Sequence, residues 1–294
     1  MRCAAIDIGT VTTRLLIAEV EDANVREVLR RIEITHLGEG LGATGKLSIA
    51  GIERVAAACA EFRELMDAEA CRCVATSAAR DADNTGELAA ALAQAGIKLE
   101  VISGEEEAQL SFAGATYGRT GDGLLVVDPG GGSTEFIMGD IRFARSLQIG
   151  SQRMTDAFLA GDPPTAEERA ACSRAVRGLL ADDISELKGQ VREMIAVAGT
   201  ATTMVTARDG IEPYDAERVQ GAWVTRDDLR ALQERFCAVP LSERQQIPGL
   251  EPGRASVIIA GTLILEEVLD FLELEQFSVS DTDLLYGILL KLSK

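Results

Sequence analysis

The feature that most constrains the fold is a short pattern that occurs twice. Residues 4–10 contain an apolar run, Asp7, and a turn with Gly9 and Thr10. Residues 124–134 repeat this order with four apolar residues, Asp128, a proline, three glycines and two hydroxyl residues. A second strand-like run follows each turn. Because strand, aspartate, tight turn and strand recur at two distant places, the sequence predicts two copies of one structural unit.

Apolar periodicity around this repeat predicts strands and helices in a matching order in both halves. In the first half the predicted strands are Cys3–Ile8, Thr13–Val20, Val28–Leu37, Arg72–Thr76 and Lys98–Ile102, and the helices are Ser48–Met66, Thr85–Gln94 and Glu105–Ala115. In the second half the strands are 124–128, 134–138, Ile141–Gln148, Met194–Val197 and Gln276–Val279, and the helices are Thr165–Leu187, Thr200–Thr206, Arg226–Cys237, Arg254–Leu272 and Asp281–Leu292. This order predicts an α/β fold of duplicated ribonuclease-H-like, actin-type domains with an interdomain cleft.

The length of the chain agrees with two domains, because 294 residues is about twice the usual ~150 per domain. The glycine-rich loop Tyr117–Gly123 is the predicted boundary. We therefore place an N-terminal actin-like domain at 1–121 and a C-terminal actin-like domain at 122–294.

The charge balance limits the classes of partner. The chain has 47 acidic and 29 basic residues, for a net charge of −18, and only 4% aromatic residues. Binding to nucleic acid or to an anionic membrane requires an excess of Lys and Arg, and single strands also need aromatic side chains for stacking. We expect neither nucleic acid nor a membrane as partner.

The start of the chain and the cysteines indicate a compartment. Met1 to Cys3 lead directly into an apolar strand, so no secretory signal is predicted. The longest strongly apolar segment, 257–265, is far shorter than the ~20 residues of a membrane span. The six cysteines are dispersed, and the only close pair, Cys71 and Cys73, has C-x-C spacing, which predicts reduced thiols rather than a zinc site. We expect a cytoplasmic protein.

The second glycine turn carries the clearest chemical signal. Three consecutive glycines, 130–132, allow the backbone to approach a ligand closely, and their N–H groups can bind phosphate oxygens. Ser133 and Thr134 add hydroxyl donors. Carboxylates at both ends, Asp128 and Glu135, suit a bare polyanion poorly but suit Mg²⁺ bound to phosphate.

Two other features are interpreted as structural. Gly40–Lys46 fits both G-x-G-x-x-G and the first positions of a Walker A motif, but Leu47 replaces the metal-binding hydroxyl and the predicted helix starts only after the glycines. We interpret this segment as a connecting loop. His36, the one histidine, lies at a predicted strand end, which argues against a Ser-His-Asp triad or a histidine zinc site.

Six motifs together resemble the exopolyphosphatase and guanosine pentaphosphate phosphatase family, in its short two-domain form. They are Asp7-Ile8-Gly9-Thr10-x-Thr12-x-Arg14, Ala75-Thr76-Ser77-Ala78-Ala79-Arg80-Asp81-Ala82-x-Asn84, Ile102-Ser103-Gly104-Glu105-Glu106-Glu107-Ala108, Asp128-x-Gly130-Gly131-Gly132-Ser133-Thr134-Glu135, Ala198-Gly199-Thr200-Ala201-Thr202-Thr203 and Ile247-Pro248-Gly249-Leu250-x-Pro252-x-Arg254. They follow the family's order and span almost the whole chain.

The resemblance implies hydrolytic removal of a terminal phosphate and dependence on a divalent metal, Mg²⁺ or alternatively Mn²⁺. It implies Glu107 as the catalytic carboxylate. It also implies Arg80 as a phosphate ligand. From the two glycine turns and the polar residues around them, we expect the phosphate-binding residues to be Gly9, Thr10, Thr12, Arg14, Arg80, Gly130, Gly131, Gly132, Ser133 and Thr134, and the metal ligands to be Asp7, Asp128 and Glu135. The chain departs from the family at Val11, where the family usually has Asn, and it lacks an arginine before Gly287.

The sequence thus favours an exopolyphosphatase that acts on the end of inorganic polyphosphate. Hydrolysis of guanosine pentaphosphate by the same site is the nearest alternative. An actin-like sugar or acetate kinase would need an acceptor pocket, and a non-catalytic nucleotide-binding assembly protein would not need Glu107. Chain-length preference, metal selectivity and whether the chain forms a homodimer stay open.

Overall fold

The computed structural model describes residues 1–22, 24–117, 121–139 and 143–293. These residues form two compact units. Unit 1 comprises Met1–Tyr117 and Asp283–Lys294, and unit 2 comprises Gly118–Thr282. Within the described ranges, no helix is both long and apolar enough to span a membrane.

Unit 1 is built on a five-stranded sheet with helices packed on it. Its strands are β1 (Arg2–Ile8), β2 (Thr12–Glu21), β3 (Asn24–Ile34), β4 (Ala70–Ala75) and β5 (Leu99–Val101). Its helices are α1 (Leu41–Thr44), α2 (Ile49–Leu65), α3 (Ser77–Asp81), α4 (Thr85–Gln94) and α5 (Gly104–Ala115), together with the last helix of the chain, α13 (Leu284–Leu292). The strand order is β3-β2-β1-β4-β5. Strand β1 is buried on both faces, which explains its almost continuous apolar sequence.

Unit 2 contains a six-stranded sheet. Its strands are β6 (Leu124–Pro129), β7 (Thr134–Met138), β8 (Phe143–Leu147), β9 (Glu193–Ala196), β10 (Trp223–Thr225) and β11 (Gln276–Val279). Its helices are α6 (Ser151–Phe158), α7 (Ala166–Asp183), α8 (Ala198–Asp209), α9 (Ala216–Val219), α10 (Arg226–Cys237), α11 (Leu241–Arg244) and α12 (Ile258–Leu272), with 3₁₀ turns at Ser185–Leu187 and Pro252–Arg254.

The two sheets share one topology. The order in unit 2 is β10-β11-β9-β6-β7-β8, so that, apart from the edge strand β10, the strands follow the 3-2-1-4-5 order of unit 1. In unit 1, β1, β2 and β3 pair antiparallel, and β4 and β5 run parallel to β1. In unit 2, β6, β7 and β8 pair antiparallel, and β9 and β11 run parallel to β6. The chain therefore has the duplicated ribonuclease-H-like, actin-type fold predicted from its repeat.

Helix α13 returns to unit 1, whereas the sequence-based division placed the whole of 122–294 in the second domain. Its apolar face, with Leu285 and Ile288, joins the core formed by β1, β2 and α5. The crossing with α5 is so close that a Cβ on Gly287 would lie 2.0 Å from the carbonyl oxygen of Leu110. Asp283 caps the helix by accepting a hydrogen bond of 3.1 Å from the N–H of Leu285.

Other differences from the predicted elements are local. Strand β3 begins at Asn24 rather than Val28, because it pairs along the whole length of β2. The Gly40–Lys46 segment contains the single turn α1, and α2 starts after its Ser48 cap as expected. Helices α3 and α6 were not predicted, since five and eight residues carry little periodicity. Residues 118–120 of the predicted boundary loop and 141–142 of the predicted third strand lie outside the described residues.

Candidate active site

In unit 1, three segments meet at one edge of the sheet. Strands β1 and β4 are parallel, with Ile8 beside Ala75, and β5 is parallel to β4. Because parallel strands end at the same edge, this brings the turn after β1, helix α3 after β4, and helix α5 after β5 together. The link is direct at the first two, since the N–H of Thr76 donates 3.2 Å to the carbonyl of Ile8.

The first turn presents backbone donors. It is closed by a 2.8 Å hydrogen bond from the N–H of Gly9 to the carbonyl of Thr12, and the Thr10 carbonyl accepts 2.9 Å from the N–H of Gly38. Among the described residues, the N–H groups of Thr10 and Val11 have no acceptor. Two adjacent unengaged N–H groups form a small site suited to an anion. Val11, which replaces the family's usual Asn, is buried and adds no polar group.

Arg80 and Glu107, predicted for different roles, are ion-paired. Nη1 of Arg80 donates 2.6 Å to Oε2 of Glu107 and 3.2 Å to the carbonyl of Ile102. Glu107 is only 8% exposed. The guanidinium therefore lies against the buried carboxylate at the start of α5.

The structure separates the three consecutive glutamates at the start of α5. Glu105 is exposed, and Glu106 accepts hydrogen bonds from Arg72 and Lys291 at 3.0 and 2.8 Å. Those two partners hold the pKa of Glu106 below its ordinary value. Of the three glutamates only Glu107 is buried, and it is the one that bonds Arg80 at this edge of the sheet.

Arg14 is held by two carboxylates. Its Nε and Nη2 donate 3.0 and 2.6 Å to Oδ2 of Asp7, and its Nη1 donates to Oδ2 of Asp283. Burial raises the pKa of Asp7, and Arg14 opposes that rise. For Arg14, burial lowers the pKa but the two carboxylates outweigh it and raise the value. A phosphate contact by Arg14 would have to compete with these bonds.

In unit 2, the glycine turn between β6 and β7 offers N–H groups more than hydroxyls. The hydroxyl of Ser133 donates 2.8 Å to Glu135, and the buried hydroxyl of Thr134 donates to the carbonyl of Ile149. Within the described part of the chain, the N–H groups of Gly131, Gly132 and Ser133 have no acceptor. Three consecutive unengaged donors in one turn are the arrangement that binds phosphate oxygens.

Two carboxylates flank this turn on one face of the sheet. Asp128 and Glu135 are directly opposite each other in the β6–β7 pairing, and they are 6% and 1% exposed. Glu135 accepts hydrogen bonds from Ser133 and, at 2.6 Å, from Ser146. Like charges directly across a strand pair destabilise a sheet. A cation bound beside this buried pair would relieve the repulsion.

The donor set of this pair fits Mg²⁺, which is often bound through one or two carboxylates and completes its coordination with water and substrate phosphates. Asp7, the third predicted ligand, lies in unit 1 and is bonded to Arg14. In the described ranges, no group of three or more His, Cys, Asp or Glu side chains could hold a metal ion. The structure thus offers a two-carboxylate site rather than a complete protein cage.

Two residues that the sequence did not indicate donate hydrogen bonds to carbonyl groups of this turn. Arg153, in the first turn of α6, donates 2.7 Å from Nε to the carbonyl of Gly132. Thr200, at the start of α8, donates 2.9 Å to the carbonyl of Pro129. The Ala198–Thr203 motif could have indicated Thr200, whereas α6 carries no motif that separates Arg153 from other surface arginines.

In both sheets the first strand of this actin-type fold carries an aspartate one residue before its end, and a turn that presents N–H donors follows. Such a pair of turns is suited to a protein that binds phosphate. The chain belongs to the Ppx/GppA phosphatase family: the pattern that describes this family matches residues 16–294.

Individual relatives agree with this assignment. Exopolyphosphatase 2 of Mycobacterium tuberculosis is 37% identical, over 99% of this chain and 98% of that protein. The solved Ppx/GppA enzyme of Aquifex aeolicus is 32% identical with a TM-score of 0.81, covering 99% of both chains. An exopolyphosphatase from Cytophaga hutchinsonii is 26% identical with a TM-score of 0.91, covering 99% of this chain and 97% of that one.

Proposed function

We propose that this protein is an exopolyphosphatase that hydrolyses the terminal phosphoanhydride bond of inorganic polyphosphate. The proposal rests on the glycine turn of unit 2, where three consecutive N–H groups have no acceptor among the residues that the structure describes and lie beside the buried Asp128 and Glu135. Polyphosphate is a repeating chain of phosphates, which such a turn can bind without any contact to a base or a sugar. The naming of full-length relatives as exopolyphosphatases supports this substrate.

The proposed reaction needs one proton acceptor and several groups that hold phosphate. Water attacks the terminal phosphorus, the anhydride P–O bond breaks, and the shortened chain leaves with the bond's electrons. Glu107 orients the water and accepts its proton. Its burial and its bond to Arg80 hold this carboxylate in one place, and phosphoryl transfer depends mainly on positioning and charge stabilisation.

Phosphate binding is assigned mainly to backbone groups. The N–H groups of Gly131, Gly132 and Ser133 bind phosphate oxygens in unit 2, and those of Thr10 and Val11 bind them in unit 1. Arg80 contributes the guanidinium that suits phosphate geometry. Gly9, Thr12 and Gly130 shape the turns, while the Ser133 and Thr134 hydroxyls support them through their bonds inside unit 2. We assign Arg14 a supporting role toward Asp7.

We propose that Asp128 and Glu135 hold Mg²⁺, or Mn²⁺ in its place, and that Asp7 contributes to metal binding through its own carboxylate. The ion would neutralise phosphate charge when bound. This contribution matters for a chain with a net charge of −18, because a polyanion would otherwise be repelled.

Product analysis tests the proposal. Polyphosphate of uniform length, incubated with the protein and Mg²⁺, should yield orthophosphate and chains shortened from their ends. The Glu107→Gln variant is the matched control for a contaminating phosphatase. Cleavage into mid-length fragments, or orthophosphate release that is equal in the variant, would contradict the proposal. Efficient release from guanosine pentaphosphate alone would instead favour the alternative activity of the family.

A further inference from the structure

The carbonyl side of the glycine turn in unit 2 is fastened by the segment that joins β8 to α6. The N–H of Ser151 donates 2.9 Å to the carbonyl of Gly130. The N–H groups of Gln152 and Arg153 donate 2.8 and 3.1 Å to the carbonyl of Gly131. Nε of Arg153 completes the set with its 2.7 Å bond to the carbonyl of Gly132. Three consecutive carbonyls of the turn are thus bonded from one side.

This fastening fixes the direction of the turn's N–H groups. In a planar trans peptide, the carbonyl of one residue and the N–H of the next point in opposite directions. Bonding the carbonyls of Gly130, Gly131 and Gly132 therefore directs the N–H groups of the following residues, 131–133, to the other side. Those are the three N–H groups that have no acceptor among the described residues.

The contact is close enough to leave little freedom. A Cβ on Gly150 would lie 2.3 Å from the carbonyl oxygen of Gly131 and 2.4 Å from the carbonyl carbon of Gly132. Backbone donors fasten the first two carbonyls. The third depends on a side chain, so the peptide between Gly132 and Ser133 is the part of the turn that a single substitution can release.

We propose that Arg153 is a positioning residue for the phosphate-binding turn: by donating from Nε to Gly132, it aims the N–H of Ser133 at a phosphate oxygen of the substrate. A donor bonded to the carbonyl also polarises the peptide and strengthens the N–H on its other side. This inference rests on the proposed function of the turn. It adds a residue that acts through the backbone and needs no contact with phosphate.

Two substitutions distinguish the effect of the Nε hydrogen bond of Arg153 from the effect of its positive charge. In Arg153→Gln, the side-chain Nε2 occupies the chain position of the arginine Nε, so the hydrogen bond can form while the charge is lost. In Arg153→Met, the length is similar but no donor remains. Arg177→Met is the matched control, because Arg177 is an exposed arginine of the same unit that bonds Glu267. Thermal unfolding of all variants reports whether the fold is kept.

The readouts are kcat and KM for polyphosphate, with the affinity for inorganic phosphate measured by calorimetry. We expect Arg153→Met to weaken phosphate binding and lower kcat/KM by about tenfold, the loss of one oriented hydrogen bond. Arg153→Gln should stay within about threefold of the wild type, a free-energy change below 1 kcal/mol. Equal losses in the two variants would overturn the inference in favour of a charge effect, and a Met variant that binds phosphate like the wild type would overturn it outright.

The two proposals fail separately. If the wild type binds phosphate but does not hydrolyse polyphosphate, the proposed function is wrong, while the order of phosphate affinities among the wild type, Gln and Met variants still decides the role of Arg153. If the wild type hydrolyses polyphosphate but Arg153→Met binds phosphate no more weakly than Arg153→Gln, only the role of Arg153 is wrong.

Discussion

Arg80 donates a 2.6 Å hydrogen bond from Nη1 to Oε2 of Glu107. The guanidinium proposed to bind phosphate is therefore ion-paired with the carboxylate proposed to accept a proton from water. Both side chains come from helices that follow neighbouring parallel strands, at one edge of the unit 1 sheet. A phosphate that draws Arg80 toward itself would change the surroundings of Glu107 at the same moment. Binding and proton transfer are therefore expected to be coupled through this pair.

The first prediction concerns Glu107. The Glu107→Gln substitution keeps the shape of the side chain but removes its ability to accept a proton. We expect kcat to fall on the order of 10²–10⁴-fold, with KM changed little. Steady-state kinetics on polyphosphate measures both constants. Glu105→Gln is the control, because Glu105 is exposed on the same helix turn. A larger loss from the control than from Glu107→Gln would show that the base is wrongly assigned.

The second prediction concerns the metal. Asp128 and Glu135 face each other as buried carboxylates beside the glycine turn. We expect activity to require Mg²⁺ or Mn²⁺, and Asp128→Asn to raise the metal concentration that gives half-maximal activity. Titrating each metal into protein treated with EDTA measures this requirement. Full turnover in excess EDTA would be incompatible with the metal role and would leave both carboxylates as structural residues of the turn.

The fold was largely predictable, because its main signal is a repeat. Strand, aspartate and glycine turn recur in both halves, and the helices Thr85–Gln94 and Arg226–Cys237 have the bounds that their periodicity predicted. The return of α13 to unit 1 was not predictable from periodicity. It depends on long-range packing of Leu285 and Ile288, which local pattern does not report.

The sequence motifs indicated which residues form the candidate site, but not the hydrogen bonds that these residues make with one another. Motifs identified Arg80 and Glu107, yet nothing local indicated that they pair. The hydroxyls of Ser133 and Thr134 were expected to bind phosphate, whereas the structure bonds them to Glu135 and Ile149 inside unit 2. The Arg80–Glu107 and Thr134–Ile149 bonds join residues that are 27 and 15 positions apart, so they follow from the tertiary fold. The Ser133–Glu135 bond spans two positions and depends on the local conformation of the turn.

The third prediction concerns the packing of α13. In Gly287→Ala, the new methyl group would lie 2.0 Å from the carbonyl oxygen of Leu110, so α5 and α13 must move apart. We expect the free energy of unfolding to fall by about 1–3 kcal/mol, the usual cost of overpacking. Chemical denaturation measures the change.

Gly178→Ala is the matched control for Gly287→Ala, because a Cβ on Gly178 in helix α7 meets no atom within 4 Å. Alanine there should be neutral or stabilise by up to about 1 kcal/mol, the gain in helix propensity. Equal stability of the two variants would contradict the close crossing of α5 and α13.

The fourth prediction concerns pH. Hydrogen bonds from Lys291 and Arg72 lower the pKa of Glu106 below its ordinary 4.5. A carboxylate with a lowered folded-state pKa stabilises the fold above that ordinary value, and the contribution is lost as pH falls through the lowered pKa. Glu106→Gln should therefore reduce Tm near neutral pH and match the wild type more closely at pH values well below 4. A difference in Tm that stays constant across this range would contradict the ion-pair role.

A comparison of kcat/KM for polyphosphate, guanosine pentaphosphate and ATP at one ionic strength decides whether this protein is an exopolyphosphatase. Ionic strength is fixed because contacts with polyanions are screened by salt. The turns offer N–H groups suited to phosphate, and the chain has only one tryptophan, three tyrosines and eight phenylalanines with which to stack a purine. We expect the highest kcat/KM for polyphosphate. A tenfold or greater preference for guanosine pentaphosphate, about 1.4 kcal/mol of transition-state discrimination, would contradict it.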